Sequence, residues 1–139
     1  MRDSVFLDTS FSIALPVATD ELHQRVLELT KQISNGKTRR ITTQAVILEI
    51  GNALSKLKYR QFFVKIIEHW EADPNVMIVP LTNELYTKAF ELFRSRLDKE
   101  WGLVDSTSFV VMQERKITDA LTADEHYTQA GFRALLREK

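Results

Sequence analysis

Residues 5–10 read Val-Phe-Leu-Asp-Thr-Ser, a short apolar run that ends at an acidic side chain. A run of this length between polar residues is typical of a buried β-strand. Similar runs predict further strands at 40–43, 76–79 and 118–122. Because segments with helical spacing separate these strands, the sequence predicts an α/β fold in which helices cover both faces of a parallel sheet.

The segments between the strands carry apolar stripes at helical spacing. The five stripes are Leu22, Val26, Leu29 and Ile33; Val46, Ile50, Leu54 and Leu57; Phe63, Ile67 and Trp70; Leu85, Ala89, Leu92 and Phe93; and Phe109 and Met112. Helix starts are predicted near Asp20, Gln44 and Asp105, and Asn35-Gly36 and Asp73-Pro74 are stop signals.

The composition is typical of one globular domain, which we expect to span residues 1–139. The hydrophobic fraction is 44% and the charged fraction is 27%. No apolar run approaches the ~20 residues that a membrane span needs. The first ten residues include an acid at position 3 and do not form a secretory signal, so we expect a cytoplasmic protein. The absence of cysteine excludes disulfides and thiolate zinc sites.

The net charge is zero, from 19 basic and 19 acidic side chains, but the charges are unevenly distributed. The only acid in the segment 31–66 is Glu49, whereas basic side chains are frequent there. Such a segment could bind phosphates, or its cations could simply be solvated. The candidate RNA contacts are Lys56, Lys58 and Arg60, with Tyr59 among them as a stacking surface for a base. A solvated helix end explains these four residues equally well.

Four acids are candidates for the functional site. Asp8 follows the first strand, Asp124 follows the strand around Ala120, and Asp105 lies at a loop-to-helix junction. Ligands of parallel sheets bind beyond the carboxyl ends of the strands. Each of these aspartates would also serve as a helix N-cap. Glu49 lies inside a predicted helix beside the apolar stripe, where it either reaches solvent or meets a cation.

A convergent cluster of these acids would require protons or a metal ion, because like charges at short distance oppose ionisation. Mg²⁺ and Mn²⁺ prefer hard oxygen ligands, and we predict one of them as the cofactor. Such an ion can polarise a phosphodiester and activate a water molecule for attack. The sequence has no paired-histidine helix motif, so it does not favour zinc.

Four segments together resemble the motifs of PIN-domain ribonucleases, specifically the VapC-type toxins of toxin–antitoxin modules. They read FLDTS at 6–10, VILEIGNAL at 46–54, LVDSTSF at 103–109 and ALTADEHY at 120–127. The resemblance implies a three-layer fold with a short, mostly parallel sheet. It also implies that the catalytic and metal-binding pocket consists of the four acids Asp8, Glu49, Asp105 and Asp124.

The resemblance further implies a Mg²⁺- or Mn²⁺-dependent endoribonuclease that is often a homodimer and is neutralised by a cognate antitoxin. Thr9 and Thr122 match hydroxyl positions beside the pocket, where they would orient a carboxylate or a water molecule. Asp119 is an accessory candidate for a second metal, although the interpretation we favour is that it ends the turn before its strand. The main alternative to a nuclease is a catalytically silent PIN scaffold that binds RNA or protein.

Two further features have competing interpretations. His126 follows Asp124 closely, but a lone histidine lacks partners at zinc spacing, and we expect it to be a packing residue. An apolar stripe of Phe62, Phe63, Ile66 and Trp70 is either core or a docking surface for a partner subunit or antitoxin helix, and we favour core.

Overall fold

Five short strands form one central sheet: β1 (Ser4–Leu7), β2 (Arg39–Thr43), β3 (Val76–Val79), β4 (Asp119–Leu121) and β5 (Arg133–Ala134). The computed structural model describes residues 3–14, 23–35 and 37–138. The strand order is β3-β2-β1-β4-β5, and every pairing is parallel. The predicted parallel sheet is therefore confirmed, and β5 is an addition that the sequence did not indicate.

Helices connect the strands and complete the predicted three-layer α/β fold. They are α1 (Thr9–Ala14), α2 (His23–Asn35), α3 (Gln44–Ala53), α4 (Leu57–Ala72), α5 (Asn83–Ser95), α6 (Leu103–Glu114) and α7 (Glu125–Gln129), followed by a 3₁₀ turn at Leu135–Arg137. None of the described helices is long and apolar enough to cross a membrane. The predicted start of the second helix near Asp20 lies outside the described residues.

The end of α3 differs from the prediction. Thr43 begins the helix, because its hydroxyl accepts the Val46 N–H at 3.0 Å. The apolar stripe predicted one helix as far as Leu57, but α3 ends at Ala53 and Leu54 caps it. The prediction was wrong at Leu57, which starts α4 and is 85% exposed. The turn at 54–56 interrupts the helix, so the Leu57 side chain does not continue the buried face of α3.

The core surrounds the central strand β1. Val5, Phe6 and Leu7 are all essentially inaccessible to solvent. Successive side chains of a strand point to opposite faces, so a fully buried strand needs apolar cover on both sides. The stripe on α4 contributes to this core, because Trp70 is buried and Phe62, Phe63 and Ile66 pack against the cluster. The favoured interpretation of that stripe as core is confirmed.

Candidate metal centre

Asp8 lies directly after β1, at the carboxyl end of the sheet. Because Leu7 pairs with Leu121 in β4, the residues that follow the two strands, Asp8 and Thr122, lie side by side. The Thr122 hydroxyl donates a hydrogen bond to Asp8 Oδ2 (2.7 Å), and the Tyr127 hydroxyl donates one to Oδ1 (2.9 Å). Two buried hydroxyl groups therefore fix the orientation of this carboxylate.

Burial dominates the electrostatics of Asp8. Desolvation raises the pKa of Asp8 to about 6, although hydrogen bonds from Thr122, the Thr9 backbone N–H and Tyr127 oppose the rise. The charge of Asp105 adds to it. Burial, together with the charge of Asp8, raises the pKa of Tyr127 well above its usual range, so its hydroxyl remains a donor. A buried carboxylate of this kind is stabilised in its charged form by a nearby cation.

A second, more exposed group consists of Asp105, Asp124 and His126. Asp105 is the third residue of α6, and Asp124 directly precedes α7. His126 Nδ1 lies 3.0 Å from Asp105 Oδ2 and 3.3 Å from Asp124 Oδ1. One ligand atom from each residue lies within 4.8 Å of the other two. The three residues could therefore share one metal ion.

The Thr122 hydroxyl links this group to Asp8. It donates to Asp8 and at the same time accepts the backbone N–H of Asp124 at 3.0 Å. Ser10 supports the same loop, because its hydroxyl accepts the Ala123 N–H at 3.1 Å. The sequence marked Thr122 as an accessory position, and the structure places its hydroxyl between two of the four predicted acids.

His126 is the residue of this group that sequence reasoning missed. We expected packing, whereas the imidazole contacts both Asp105 and Asp124. Burial lowers the pKa of His126, but the hydrogen bond to Asp105 and the charges of Asp124, Asp105 and Glu125 outweigh it and leave the pKa raised. The only signal in the sequence was its position two residues after Asp124. This spacing becomes informative once the structure shows that α7 begins at Glu125, between the two residues.

Glu49 reaches the same region from α3. Its exposed carboxylate accepts a hydrogen bond from the hydroxyl of Thr9, the residue after Asp8. Of the two interpretations from the sequence, solvent exposure is confirmed, whereas the partner that the structure shows for Glu49 is the Thr9 hydroxyl and not a cation.

The N-cap interpretation is confirmed for Asp124 and wrong for Asp105, because Gly102 is the N-cap of α6. Asp124 caps α7, because its Oδ1 accepts the His126 N–H at 2.9 Å. Asp105 lies inside the first turn of α6 and accepts the Gly102 N–H at 3.1 Å. Both carboxylates are near a helix N-terminus, where the helix dipole stabilises negative charge. Capping and metal binding are compatible, since a carboxylate has two oxygens with several lone pairs.

Asp119, the accessory candidate, lies away from these acids. It is the first residue of β4, at the amino end of the sheet, and its side chain is fully buried. Arg133 Nη1 is 3.5 Å from Asp119 Oδ1. This position agrees with the interpretation that Asp119 has a structural role at the start of its strand.

The predicted RNA contacts lie at the junction between α3 and α4. Lys56, Lys58 and Arg60 are all exposed. The Arg60 guanidinium donates to the Ser55 carbonyl at 2.8 and 3.1 Å, and Lys58 Nζ lies 5.0 Å from the centre of the Tyr59 ring. Lys56 lies three residues after the end of α3, the helix that carries Glu49.

The donor set fits a hard or borderline divalent ion. It offers carboxylate oxygens from Asp105 and Asp124 and one imidazole nitrogen from His126, whereas Asp8 and Glu49 lie outside this group of three and are linked to the region through Thr122 and Thr9. Carboxylates suit Mg²⁺ and Mn²⁺, whereas imidazole is mainly a ligand of transition metals. Burial is the main cause of the raised pKa of Asp8, and no cation is among the described groups that influence it.

Comparison with known proteins gives a family match and a structural match. Residues 5–133 match the PIN domain family. Among solved structures, the chain is similar to the crystal structure of VapC20 from Mycobacterium tuberculosis, a sarcin-ricin loop cleaving toxin, with 26% sequence identity and a TM-score of 0.80. The similarity covers 92% of this chain and 95% of that one. No match was found among curated protein sequences.

Proposed function

This chain belongs to the PIN domain family, and from that membership we propose that it is a Mg²⁺- or Mn²⁺-dependent endoribonuclease and the toxin of a toxin–antitoxin pair. One observation supports the proposal above all others. Three predicted acids from distant parts of the sequence, Asp8, Asp105 and Asp124, are connected through Thr122 and His126 at one edge of the sheet. The similar VapC20 structure is that of an RNA-cleaving toxin.

In this proposal the side chains of the site hold the metal and align the RNA. A bound ion would supply positive charge at the scissile phosphate and would lower the pKa of the attacking water. Asp8, Asp105 and Asp124 would hold the ion, with Glu49 closing the pocket from α3. Thr122 and Tyr127 keep both oxygens of Asp8 in place, which avoids reorganisation during the reaction. The products are a 5′-phosphate and a 3′-hydroxyl, without a covalent enzyme intermediate.

The basic junction would bind the RNA strand beside the acids. Lys56 and Lys58 provide exposed ammonium groups for phosphates, and the Tyr59 ring is half-buried beside them. Contacts of this kind hold a strand with little base preference. The choice of RNA would then depend on the shape of the surface around the acids. The proposed substrate places the activity in the cytoplasm.

The test of the function is cleavage of RNA by the purified chain. The substrates are total RNA, followed by sequencing of the new ends, and a sarcin-ricin loop oligonucleotide. We expect cuts with 5′-phosphate ends in Mg²⁺ or Mn²⁺, no cuts in EDTA, and restored cutting when the metal is returned. RNA binding without turnover, under conditions in which the metal is shown to bind, would support the silent scaffold instead.

A groove beside Glu49 is the proposed docking site of the antitoxin. It has a volume of about 300 Å³, and Leu48, Leu81, Tyr86 and Val104 are among its lining residues. Leu48, Leu81 and Tyr86 are all exposed, so the groove has an apolar lining that is open to solvent. Because Glu49 also lines the groove, an apolar segment bound there would cover the entrance to the acids. A short protein encoded beside this chain is the partner to test.

The exposed face of α5 is the proposed homodimer interface. Tyr86, Phe90 and Phe93 are spaced as one helical stripe, are each more than 40% exposed, and are followed by Leu97, which is 93% exposed. A stripe on one helix can pack against its own copy across a twofold axis. We therefore expect the chain to sediment as a dimer and the double variant Phe90→Glu/Phe93→Glu to sediment as a monomer.

The matched control for this variant is Val64→Glu, which places an acid on an exposed apolar position of α4. It should leave the dimer intact. Sedimentation of the native chain as a monomer at tens of micromolar, or a dimer in the double variant, would refute the interface.

A further inference from the structure

Arg39, Arg40 and Arg115 line a pocket at the amino end of the sheet. The pocket has a volume of about 340 Å³. Arg39 and Arg40 begin β2, Arg115 follows α6, and Ser4 and Asn75 add polar side chains from the starts of β1 and β3. Four segments of the chain therefore meet at one concave surface, and none of the described residues that line it is acidic.

This pocket is separate from the carboxylate site. In a parallel sheet the amino ends of the strands share one edge and the carboxyl ends share the other. β1 runs from Ser4 at the pocket to Leu7, directly before Asp8. At about 3.3 Å per residue, the two sites are roughly 13 Å apart along the strand. A group bound at the arginines is therefore not the group that would be cleaved at Asp8.

Arg40 lines the pocket and is held in place by an ion pair. Its Nη2 donates to Asp73 Oδ2 at 2.7 Å, and both side chains are less than one-fifth exposed. Asp73 is itself fixed by the Asn75 N–H, which donates to Oδ1 at 2.8 Å. The buried Nε of Arg40 has no hydrogen-bond partner among the described residues. The guanidinium is therefore positioned by the fold while part of its donor capacity remains unused.

Arg39 and Arg115 supply the excess positive charge. Both side chains are exposed, and within residues 3–14, 23–35 and 37–138 neither forms an ion pair. Asp73 offsets Arg40, and Glu84 and Glu114, which line a neighbouring cavity together with Arg115, both pair with Lys88. Arg39 and Arg115 therefore provide the positive charge of the pocket. Guanidinium groups present planar pairs of donors that match the oxygens of a phosphate, and two positive charges suit a dianion better than a carboxylate.

We propose that the pocket formed by Arg39, Arg40 and Arg115 is a phosphate-binding site, distinct from the metal centre. The ligand is a phosphate group, carried either by a small molecule such as a mononucleotide or by a strand of RNA. Both sources share the chemistry that the arginines recognise, and a pocket of this size accommodates a phosphate with part of the group attached to it.

The test compares the double variant Arg39→Gln/Arg115→Gln with the native chain in EDTA, where RNA is not cut. The matched control, Lys31→Gln/Arg94→Gln, removes two exposed positive charges outside the pocket. Inorganic phosphate and a 5′-mononucleotide are titrated by calorimetry, and a single-stranded RNA oligonucleotide by fluorescence anisotropy. Melting curves of all three proteins establish that they are folded.

We expect the pocket variant to bind phosphate-bearing ligand at least about tenfold more weakly than the control, because each lost guanidinium removes charge-assisted hydrogen bonds. Weakened binding of phosphate or mononucleotide identifies a small-molecule site. Weakened binding of the oligonucleotide alone identifies an RNA phosphate as the ligand. If the pocket variant and the control bind all three ligands equally, the proposal is wrong, whatever the result of the cleavage assay.

Discussion

Asp8→Asn is expected to reduce metal-dependent RNA cleavage by at least about a hundredfold, since even outer-shell partners of a metal are worth 10- to 100-fold. Asp8 is the acid held most firmly in the site, with Thr122 on one oxygen and Tyr127 on the other. The amide of asparagine has nearly the same shape but carries no charge. The variant removes the charge of Asp8 with little change in volume, and because an amide NH2 cannot accept a hydrogen bond, the hydroxyl of either Thr122 or Tyr127 must turn to accept one.

The same variant should be at least as stable as the native chain in EDTA. Burial raises the pKa of Asp8 from 3.8 to about 6, so the folded state binds a proton more tightly than the unfolded state. The native chain therefore loses stability as the pH rises from about 4 to about 6, by up to about 3 kcal/mol. Asp8→Asn lacks this loss, and its advantage should appear at pH 7 and vanish near pH 4.

The control for both measurements is Asp3→Asn, an exposed position just before β1. It should change neither the cleavage rate nor the pH dependence of unfolding. A preparation of Asp8→Asn that cuts RNA at the native rate would point to a contaminating nuclease. Equal denaturation midpoints for the native chain and Asp8→Asn at pH 7 would contradict the electrostatic account of this buried acid.

Asp105→Asn is expected to weaken Mn²⁺ binding by at least about tenfold, a loss of about 1.4 kcal/mol or more. Asp105 contributes to the group of three ligand atoms and also hydrogen-bonds His126 at 3.0 Å. The substitution thus removes one ligand charge and the contact that orients the imidazole. Calorimetric titration with Mn²⁺ measures the effect directly and does not depend on RNA cleavage.

Glu114→Gln is the matched control, because it neutralises an exposed acid on the same helix, nine residues later. Its affinity for Mn²⁺ should equal that of the native chain. If Asp105→Asn also bound Mn²⁺ with native affinity, the metal would have to lie elsewhere. The assignment of Asp105 as a ligand would then be wrong even if the protein cleaves RNA.

Much of the fold could be predicted from local patterns. The short run before Asp8 predicted β1, and helical spacing predicted α3 to α6, because burial of an apolar face imposes these periodicities. The errors lie where the pattern is short or ambiguous. Leu57 kept the spacing of α3 but belongs to α4. The two-residue strand β5 contains no apolar run that could predict it. Only its pairing with β4 defines it as a strand.

The site was partly predictable for a similar reason. Acids that follow parallel strands indicate an edge where ligands bind, so Asp8 and Asp124 could be chosen from the sequence. The role of His126 could not, because nothing local to residue 126 shows that the first turn of α6 brings Asp105 to its ring. The roles of Thr122 and Tyr127 likewise depend on contacts with a residue more than a hundred positions away.

The linear order of residues determined by itself most of the strands and helices and which residue types are available for chemistry. Periodicity and charge are local properties that the chain carries before it folds. The tertiary structure decided which of these groups meet. The register of β1 against β4 places Asp8 beside Thr122. The position of His126 in the first turn of α7 brings its ring into contact with Asp105 and Asp124. The tertiary structure also separates Arg39 and Arg40 from the carboxylates, because the amino and carboxyl ends of parallel strands lie at opposite edges of the sheet.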